Sequence, residues 1–340
     1  PMVYFRIIEN AKDKLVPLDE IASIRFGIKT GANKFFFVKD ITDLVEDERI
    51  KRFAGMTAKE LKKEGLALIE SGDGSWHLIE KECLRLVVTS LKFVPGINLT
   101  IEDIGSQRIV FLKEPLGRFA KEYVSYGEQE GYSKTRTCAA RRPWYNLPDL
   151  EPAPVLISRR YGERFFLPIN KIEVQEGDVF YGLKLKNKKL LMPFVSCTNS
   201  TFFMLHHLLN SYHLTGAITV AEMDGIRLRK ISIPILKQTT RLTNALKSLS
   251  SRPIVSIFEE LGLPKPNRDL SNIDPEDIAL KGVMPDRLEL DDAVLEALGF
   301  ESERERKEVL LELYQGVVAL VRDRLMKSRS FEDESQEADG

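Results

Sequence analysis

Two separated stretches carry the residue types that hold anions. In Gly27-Ile-Lys-Thr-Gly31-Ala-Asn33-Lys34 two glycines, an asparagine and two lysines stand close together. Glycine lets a backbone come near a ligand and take turns closed to other residues, so this loop suits a phosphate. Lys29 and Lys34 would supply charge, Thr30 and Asn33 hydrogen bonds. A plain hairpin turn with solvated lysines has the same composition. The stretch is not a P-loop, because a GxxxxGK[ST] match ending at Lys29-Thr30 needs glycines where Ser23 and Ile28 stand.

The second stretch is Ser133-Lys-Thr-Arg-Thr-Cys-Ala-Ala-Arg-Arg-Pro-Trp-Tyr145, continued by Arg159-Arg160-Tyr161 and Arg164. Between Ser133 and Arg164 seven basic residues (Lys134, Arg136, Arg141, Arg142, Arg159, Arg160, Arg164) face three acids (Asp149, Glu151, Glu163). Guanidinium groups donate two parallel hydrogen bonds to phosphate or to a guanine edge, and planar side chains such as Trp144, Tyr145 and Tyr161 pack against sugars and bases. The competing reading is a solvated basic loop with Trp144 in the core.

Other reactive residue types form no recognisable constellation. His206, His207 and His213 lie on one apolar segment without a GxSxG nucleophile signature, and flanking Leu205 and Leu208 make them packing residues. Cys83, Cys138 and Cys197 are odd in number and far apart, which argues against a disulfide framework, and with His77 and the other histidines they show no metal-ligand spacing. No metal is expected. The acids Asp286, Glu289, Asp291 and Asp292 lack the lysine of a nuclease motif and read as a solvated helix start.

These residues need elements to position them. Val3 to Leu15 has helical spacing, ended by Pro17. Ile21–Phe26 and Phe35–Val38 read as two strands of a hairpin around the glycine turn. Thr57–Glu64 reads as a short helix, Ser71–Gly74 as a turn, Arg108–Leu112 as a strand and Leu116–Tyr126 as a helix, while Ile79–Thr89 fits either type. Val155–Ser158, Arg164–Ile169, Val179–Leu185 and Ile231–Leu236 are strand-like. Thr198-Asn-Ser200 offers an N-cap for a buried helix Phe202–Tyr212; the chain turns helical after Thr239, with further helices over Asp286–Leu298 and Ser302–Met326. The fold class expected is α+β: a β-rich domain with interspersed helices, then a helical C-terminal module.

The 340 residues carry a net charge of -1, 43% hydrophobic and 30% charged residues, as in an ordinary globular protein. Charge is segregated: residues 291–340 hold 14 acids against 7 bases, and residues 1–290 hold 43 bases against 37 acids. A mildly basic body permits nucleic-acid binding through a local patch. No apolar run of spanning length and no signal peptide is evident, so a cytoplasmic location without membrane contact is expected. Pro1 ahead of Met2 reads as a cut end, as of a fragment or an expressed piece.

Four blocks carry a family resemblance: Val16–Phe36, which includes the glycine turn; Arg141-Arg-Pro-Trp-Tyr-Asn-Leu147; the helix ending Leu208-Leu-Asn-Ser211; and Asp286-Arg-Leu-Glu-Leu-Asp-Asp-Ala-Val-Leu-Glu-Ala-Leu-Gly299. In this order they resemble the C-terminal target-recognition region of adenine-specific DNA methyltransferases of type II restriction-modification systems, including the type IIG enzymes that fuse restriction and methylation. The resemblance implies that residues 1–15 lead in from an upstream catalytic domain, 16–250 recognise duplex DNA and 251–330 form a helical module; residues 331–340, acidic, polar and without periodicity, are expected to be an unstructured tail. It also implies that S-adenosylmethionine is bound by that catalytic domain, in cis or as a separate subunit, which methylates an adenine flipped out of the duplex. The chain itself has no Asn-Pro-Pro-Tyr or Asn-Pro-Pro-Phe tetrad and no FxGxG-type cofactor loop, so it is assigned no catalytic residue and no cofactor. A nuclease is not evident. The reading from another class is a scaffold whose basic loop docks an acidic protein surface.

Overall fold

The computed structural model describes residues 2–213 and 220–338. The fold is α+β. Its strands in chain order are β1 (Leu15–Pro17), β2 (Ala22–Phe26), β3 (Phe37–Asp40), β4 (Leu66–Glu70), β5 (Trp76–Glu80), β6 (Leu84–Val88), β7 (Gln107–Val110), β8 (Val155–Ser158), β9 (Arg160–Tyr161), β10 (Gln175–Glu176), β11 (Phe180–Leu185), β12 (Ala221–Glu222) and β13 (Ser232–Pro234). Six of them form a sheet in the order β10-β6-β7-β3-β4-β5, three form a second sheet in the order β2-β11-β8, and β1-β13 and β9-β12 are two-stranded pairs.

The expected hairpin across the glycine turn does not form. β2 pairs antiparallel with β11, Tyr181 opposite Phe26, whereas β3 pairs with β4 and β7 in the other sheet. Asn33–Phe36 is a helical turn that swings the chain between the sheets. Local alternation gives a strand its faces but not its neighbour, because the ladder partner is supplied from anywhere in the chain. The segment Arg164–Ile169, read as a strand, contributes only isolated bridges at Ile169, and Ile79–Thr89 resolves into the end of β5, a short 3-10 turn and β6.

Helices follow their local signals more closely. Met2–Ala11 buries Val3, Ile7 and Ala11. Thr57 and Glu60 form a reciprocal capping box at the start of Ala58–Lys63, satisfying two otherwise orphan N–H groups. Ser200 caps Thr201–Asn210 and Thr239 caps Thr240–Leu249, each side chain accepting from the N–H three residues on. Gly299 ends Pro285–Leu298 in the left-handed conformation, with a φ of 113°. The final helix, Glu303–Ala338, runs on through most of the segment expected to be an unstructured tail, which contains neither proline nor an internal glycine to stop it. Residues 339–340 lie outside the described residues.

The largest core runs from Val3 to Leu325 and unites the lead-in helix, the three-stranded sheet and the helices on both sides of residue 250. A second core lies between the six-stranded sheet and the Arg118–Gln129 helix, built on Phe35, Phe36, Ile109, Tyr123 and Cys138. A small third cluster holds Ile50 and Leu61 under β4. All three cysteines are free and buried. Among the described residues no helix is long and apolar enough to cross a membrane.

The acids of the Pro285–Leu298 helix are not a solvated helix start. Asp291 is 2% exposed and accepts from the N–H (2.7 Å) and hydroxyl (2.6 Å) of Thr201 and from the Tyr314 hydroxyl (3.1 Å). Asp286 pairs with Arg252, and Glu289 and Asp292 pair with Arg241. Asp292 also holds the nearly buried Arg306. The arginines come from other elements, so nothing in the helix's own sequence announces them.

Candidate nucleic-acid interface

The route between the sheets begins at Gly27, whose N–H donates to Phe180 O at 2.9 Å, while Ile28 N–H donates to Glu176 O at 2.8 Å. A Cβ on Gly27 would lie 2.1 Å from the carbonyl oxygen of Gly177, so only glycine allows the two strand ends to touch here. Beyond this point the turn carrying Lys29 and Lys34 meets the basic segment that starts at Ser133. Arg141 Nη2 donates to Lys29 O at 2.6 Å. Cys138 Sγ lies 3.5 Å from Thr30 O. Gly31 has a φ of 80°, and a Cβ there would be 2.4 Å from the Thr137 Cβ. The two stretches singled out in the sequence are thus one surface feature, although about a hundred residues separate them.

Within it, side chains divide by burial. Thr30 is 1% exposed and bonds locally: its hydroxyl donates to Asn33 Oδ1 and accepts from Ala32 N–H at 3.3 Å. Asn33 and Lys34 are exposed while Phe35 and Phe36 turn into the core. Lys29, Lys34, Lys134, Arg136 and Arg142 are exposed and Arg141 is half-buried. Among the described residues none of these six is in an ion pair with a carboxylate. Arg142 Nη1 instead donates to Ala139 O and Arg141 O, both at 2.8 Å.

Trp144 and Tyr145 pack on the core beneath this surface, while Tyr161 and Arg164 are held inside elsewhere. Trp144 is half-buried, 4.9 Å from the Phe35 ring, and its Nε1–H donates to Glu128 at 3.2 Å. Tyr145 is 7% exposed and donates to the Glu114 carboxylate; burial, reinforced by that acceptor, pushes its phenol up to about 12. Tyr161 is 2% exposed, donating to Phe166 O (3.2 Å) and accepting from Ser158 N–H (3.0 Å). Arg164 is half-buried and ties three carbonyls together, Ile254 (2.7 Å), Val94 (3.0 Å) and Pro95 (3.0 Å). Burying an aromatic ring or a guanidinium stem releases more apolar area than leaving it to await a ligand, and each polar tip finds a partner inside.

Arg159 and Arg160 stand apart from the six. Both reach Glu222, at 3.6 Å and 2.8 Å, so one carboxylate is shared between the two cations. They line a groove of about 600 Å³ together with Ser90, Lys92, Val179 and Leu325. Arg159 also lies over the Phe26 ring at 5.1 Å, which connects this groove to the start of the Gly27 crossover. Phe26 and Lys92 were not legible as candidates, since an exposed aromatic at a strand end has no local signature.

His206 and His207 are packing residues that lie fully in the core, at 4% and 0% exposure. Burial lowers them to about 4 and about 3. His207 packs on Tyr161 and Phe165 at 5.4 Å and 5.1 Å, holding the strand that carries Arg160. Among the described residues no group of three or more histidines, cysteines and acids is placed to hold a metal ion.

Among solved structures the chain is similar to the type IIG restriction endonuclease BpuSI, at 11% identity and a TM-score of 0.50, over 96% of this chain and 33% of that one. It is also similar to the type IIL restriction-modification enzyme MmeI in complex with DNA, at 14% identity and a TM-score of 0.35, over 89% of this chain and 36% of that one. The chain therefore spans about a third of the length of these structures. No curated protein sequence matches. The profile of the family described as type II methyltransferase M.Eco57I, C-terminal domain, matches residues 77–250, which include the Arg141–Leu147 and Leu208–Ser211 blocks and leave the other two outside. With half of its length matched by that profile, the chain belongs to the family of type II methyltransferase M.Eco57I C-terminal domains.

Proposed function

We propose that this chain recognises a specific duplex DNA sequence as the specificity part of an adenine-specific DNA methyltransferase of a restriction-modification system. The observation that carries the reading is the set of six cations, Lys29, Lys34, Lys134, Arg136, Arg141 and Arg142, gathered from two distant segments onto one edge with no carboxylate partner among the described residues. Elsewhere Arg241, Arg252, Arg287 and Arg306 are all matched by acids. Uncompensated surface cations repel one another and are stabilised by an anionic ligand; a DNA backbone offers phosphates at regular spacing. Phosphate contacts from this edge supply affinity and register, and the few groups that reach base edges supply sequence choice.

Methyl transfer belongs, in this reading, to a catalytic domain in cis or in a separate subunit, which binds S-adenosylmethionine. The present residues offer neither the adenine-binding tetrad nor the glycine-rich loop that the cofactor chemistry needs. Binding of this chain to a randomised duplex library at two salt concentrations, with sequencing of the retained DNA, tests the proposal. Enrichment of one short motif, with log affinity falling against log salt at a slope of about -4 to -5 for five phosphate contacts, is expected. Absence of DNA retention, with capture of an acidic protein partner that survives nuclease treatment, would replace it by the scaffold reading.

A further inference from the structure

The turn joining β4 to β5 is pressed against the cationic edge. Gly72 N–H donates to Lys34 O at 2.8 Å, and a Cβ on Gly72 would lie 2.6 Å from the Lys34 Cα, so the turn and the lysine backbone are in direct contact. The next residue, Asp73, is exposed, and its carboxylate is gripped by neutral donors. Ser71 and Ser75 hydroxyls each donate at 2.6 Å, Ser75 N–H at 3.0 Å, and the Tyr126 hydroxyl comes in from the Arg118–Gln129 helix. Ser75 Oγ also meets His77 Nε2 at 2.8 Å, and the His77 ring lies 4.2 Å from that of Tyr126. Partial desolvation works against ionisation, but the hydrogen bonds from Ser71, Ser75 and Tyr126 outweigh it and hold the carboxyl well below its ordinary range.

The consequence is an ionised acceptor, fixed by hydrogen bonds, in a turn that packs against Lys34 of the cationic edge. Among the described residues no cation lies within ion-pair distance of Asp73. A carboxylate repels phosphate, so a DNA backbone that lies along Lys34 and Lys134 does not cover it. In the major groove, what a duplex presents to a carboxylate is an exocyclic amine, the N4 amino group of cytosine or the N6 amino group of adenine. An acceptor held by groups from two elements loses little freedom on binding, which is what a discriminating contact requires.

Resting on the recognition function proposed above, we infer that Asp73, positioned by Ser71, Ser75 and Tyr126, reads an amino-bearing base, cytosine or adenine, at one position of the recognition sequence. Ser75 and His77 flank it as positioning residues.

The test is the library selection carried out on the whole chain with wild type, Asp73→Asn and Tyr126→Phe. Asparagine keeps the size and the turn hydrogen bond but donates as well as accepts. The wild-type motif is expected to contain a position restricted to cytosine or adenine. Asp73→Asn should change the preference at that position alone, by about tenfold between bases, with the salt slope unchanged. Tyr126→Phe, which frees one side of the carboxylate without touching its charge, should broaden the same position. Two variants that melt like wild type and enrich the wild-type motif would overturn the role of Asp73 and leave the recognition function standing. A wild-type chain that enriches no motif would overturn that function and this role with it.

Discussion

Arg141 reaches back to the main-chain carbonyl of Lys29 across 112 residues of sequence, at 2.6 Å, and its guanidinium lies 5.8 Å from the Phe36 ring centre. This one side chain joins the two halves of the cationic edge. Arg141→Ala should cost about 1–2 kcal/mol of stability and weaken DNA binding more than removal of an unattached cation, because the Lys29–Lys34 turn loses its anchor. Urea unfolding and a binding titration on the same variant measure both effects.

Lys34, Lys134 and Arg136 have no such structural duty. Each single change to alanine should leave the melting temperature within about one degree and reduce the salt slope of DNA binding by about 0.9 for each phosphate left without its cation. A slope that stays at the wild-type value in all three variants would show that DNA lies elsewhere.

Gly31 combines a φ of 80° with a Cβ position 2.4 Å from the Thr137 Cβ. Gly31→Ala therefore meets both backbone strain and a clash, and a loss of about 2–4 kcal/mol is expected. Gly55, with a φ of 74° and open space where its Cβ would stand, separates the two causes. Gly55→Ala should cost only about 1–2 kcal/mol, from conformation alone.

Removal of Asp291 leaves the Thr201 N–H, the Thr201 hydroxyl and the Tyr314 hydroxyl without an acceptor in a buried place. Asp291→Ala should destabilise the chain by about 3–5 kcal/mol. Glu289→Ala, on the same helix but half-exposed against Arg241, should change stability by less than about 1 kcal/mol. Equal effects of the two would contradict the buried role assigned to Asp291.

His206 and His207 give the fold a pH dependence. Folded, their pKa values are lowered to about 4 and about 3 from 6.5, so the native state keeps both neutral where the unfolded chain takes up protons. Stability is therefore complete above pH ~6.5 and falls as the pH drops toward the folded values, by about 1.4 kcal/mol per pH unit for each histidine. Melting temperatures measured from pH 7.5 to 5 should decline, and His207→Gln, which carries no titratable ring, should show about half the dependence due to the pair. The same slope in that variant would assign the acid sensitivity to other groups.

What the sequence alone determined were features written within a few residues. The capping box of Thr57 and Glu60, the caps at Ser200 and Thr239 and the left-handed stop at Gly299 stand where local spacing places them. So do the amphipathic stripes of the lead-in helix and the last helix, and the four blocks that carry the family likeness. Residue type also marked out the cations, because arginine and lysine among small hydroxyls are unusual enough to notice. The tertiary structure decided which of them remain free. Arg159, Arg160 and Arg164 read as equals of Arg136 and Arg142, yet Glu222 and three backbone carbonyls claim them. Tyr145 and Tyr161 went to the core, and Asp291 from an apparent solvated face to a buried one. Above all, β2 took its partner from β11, more than 150 residues on, so that the glycine turn became a crossover instead of a hairpin. Helix signals travel along the backbone, where each residue meets its third and fourth neighbours. Strand partners, ion pairs and burial depend on groups that distant segments deliver, and no window of sequence contains both members of such a pair.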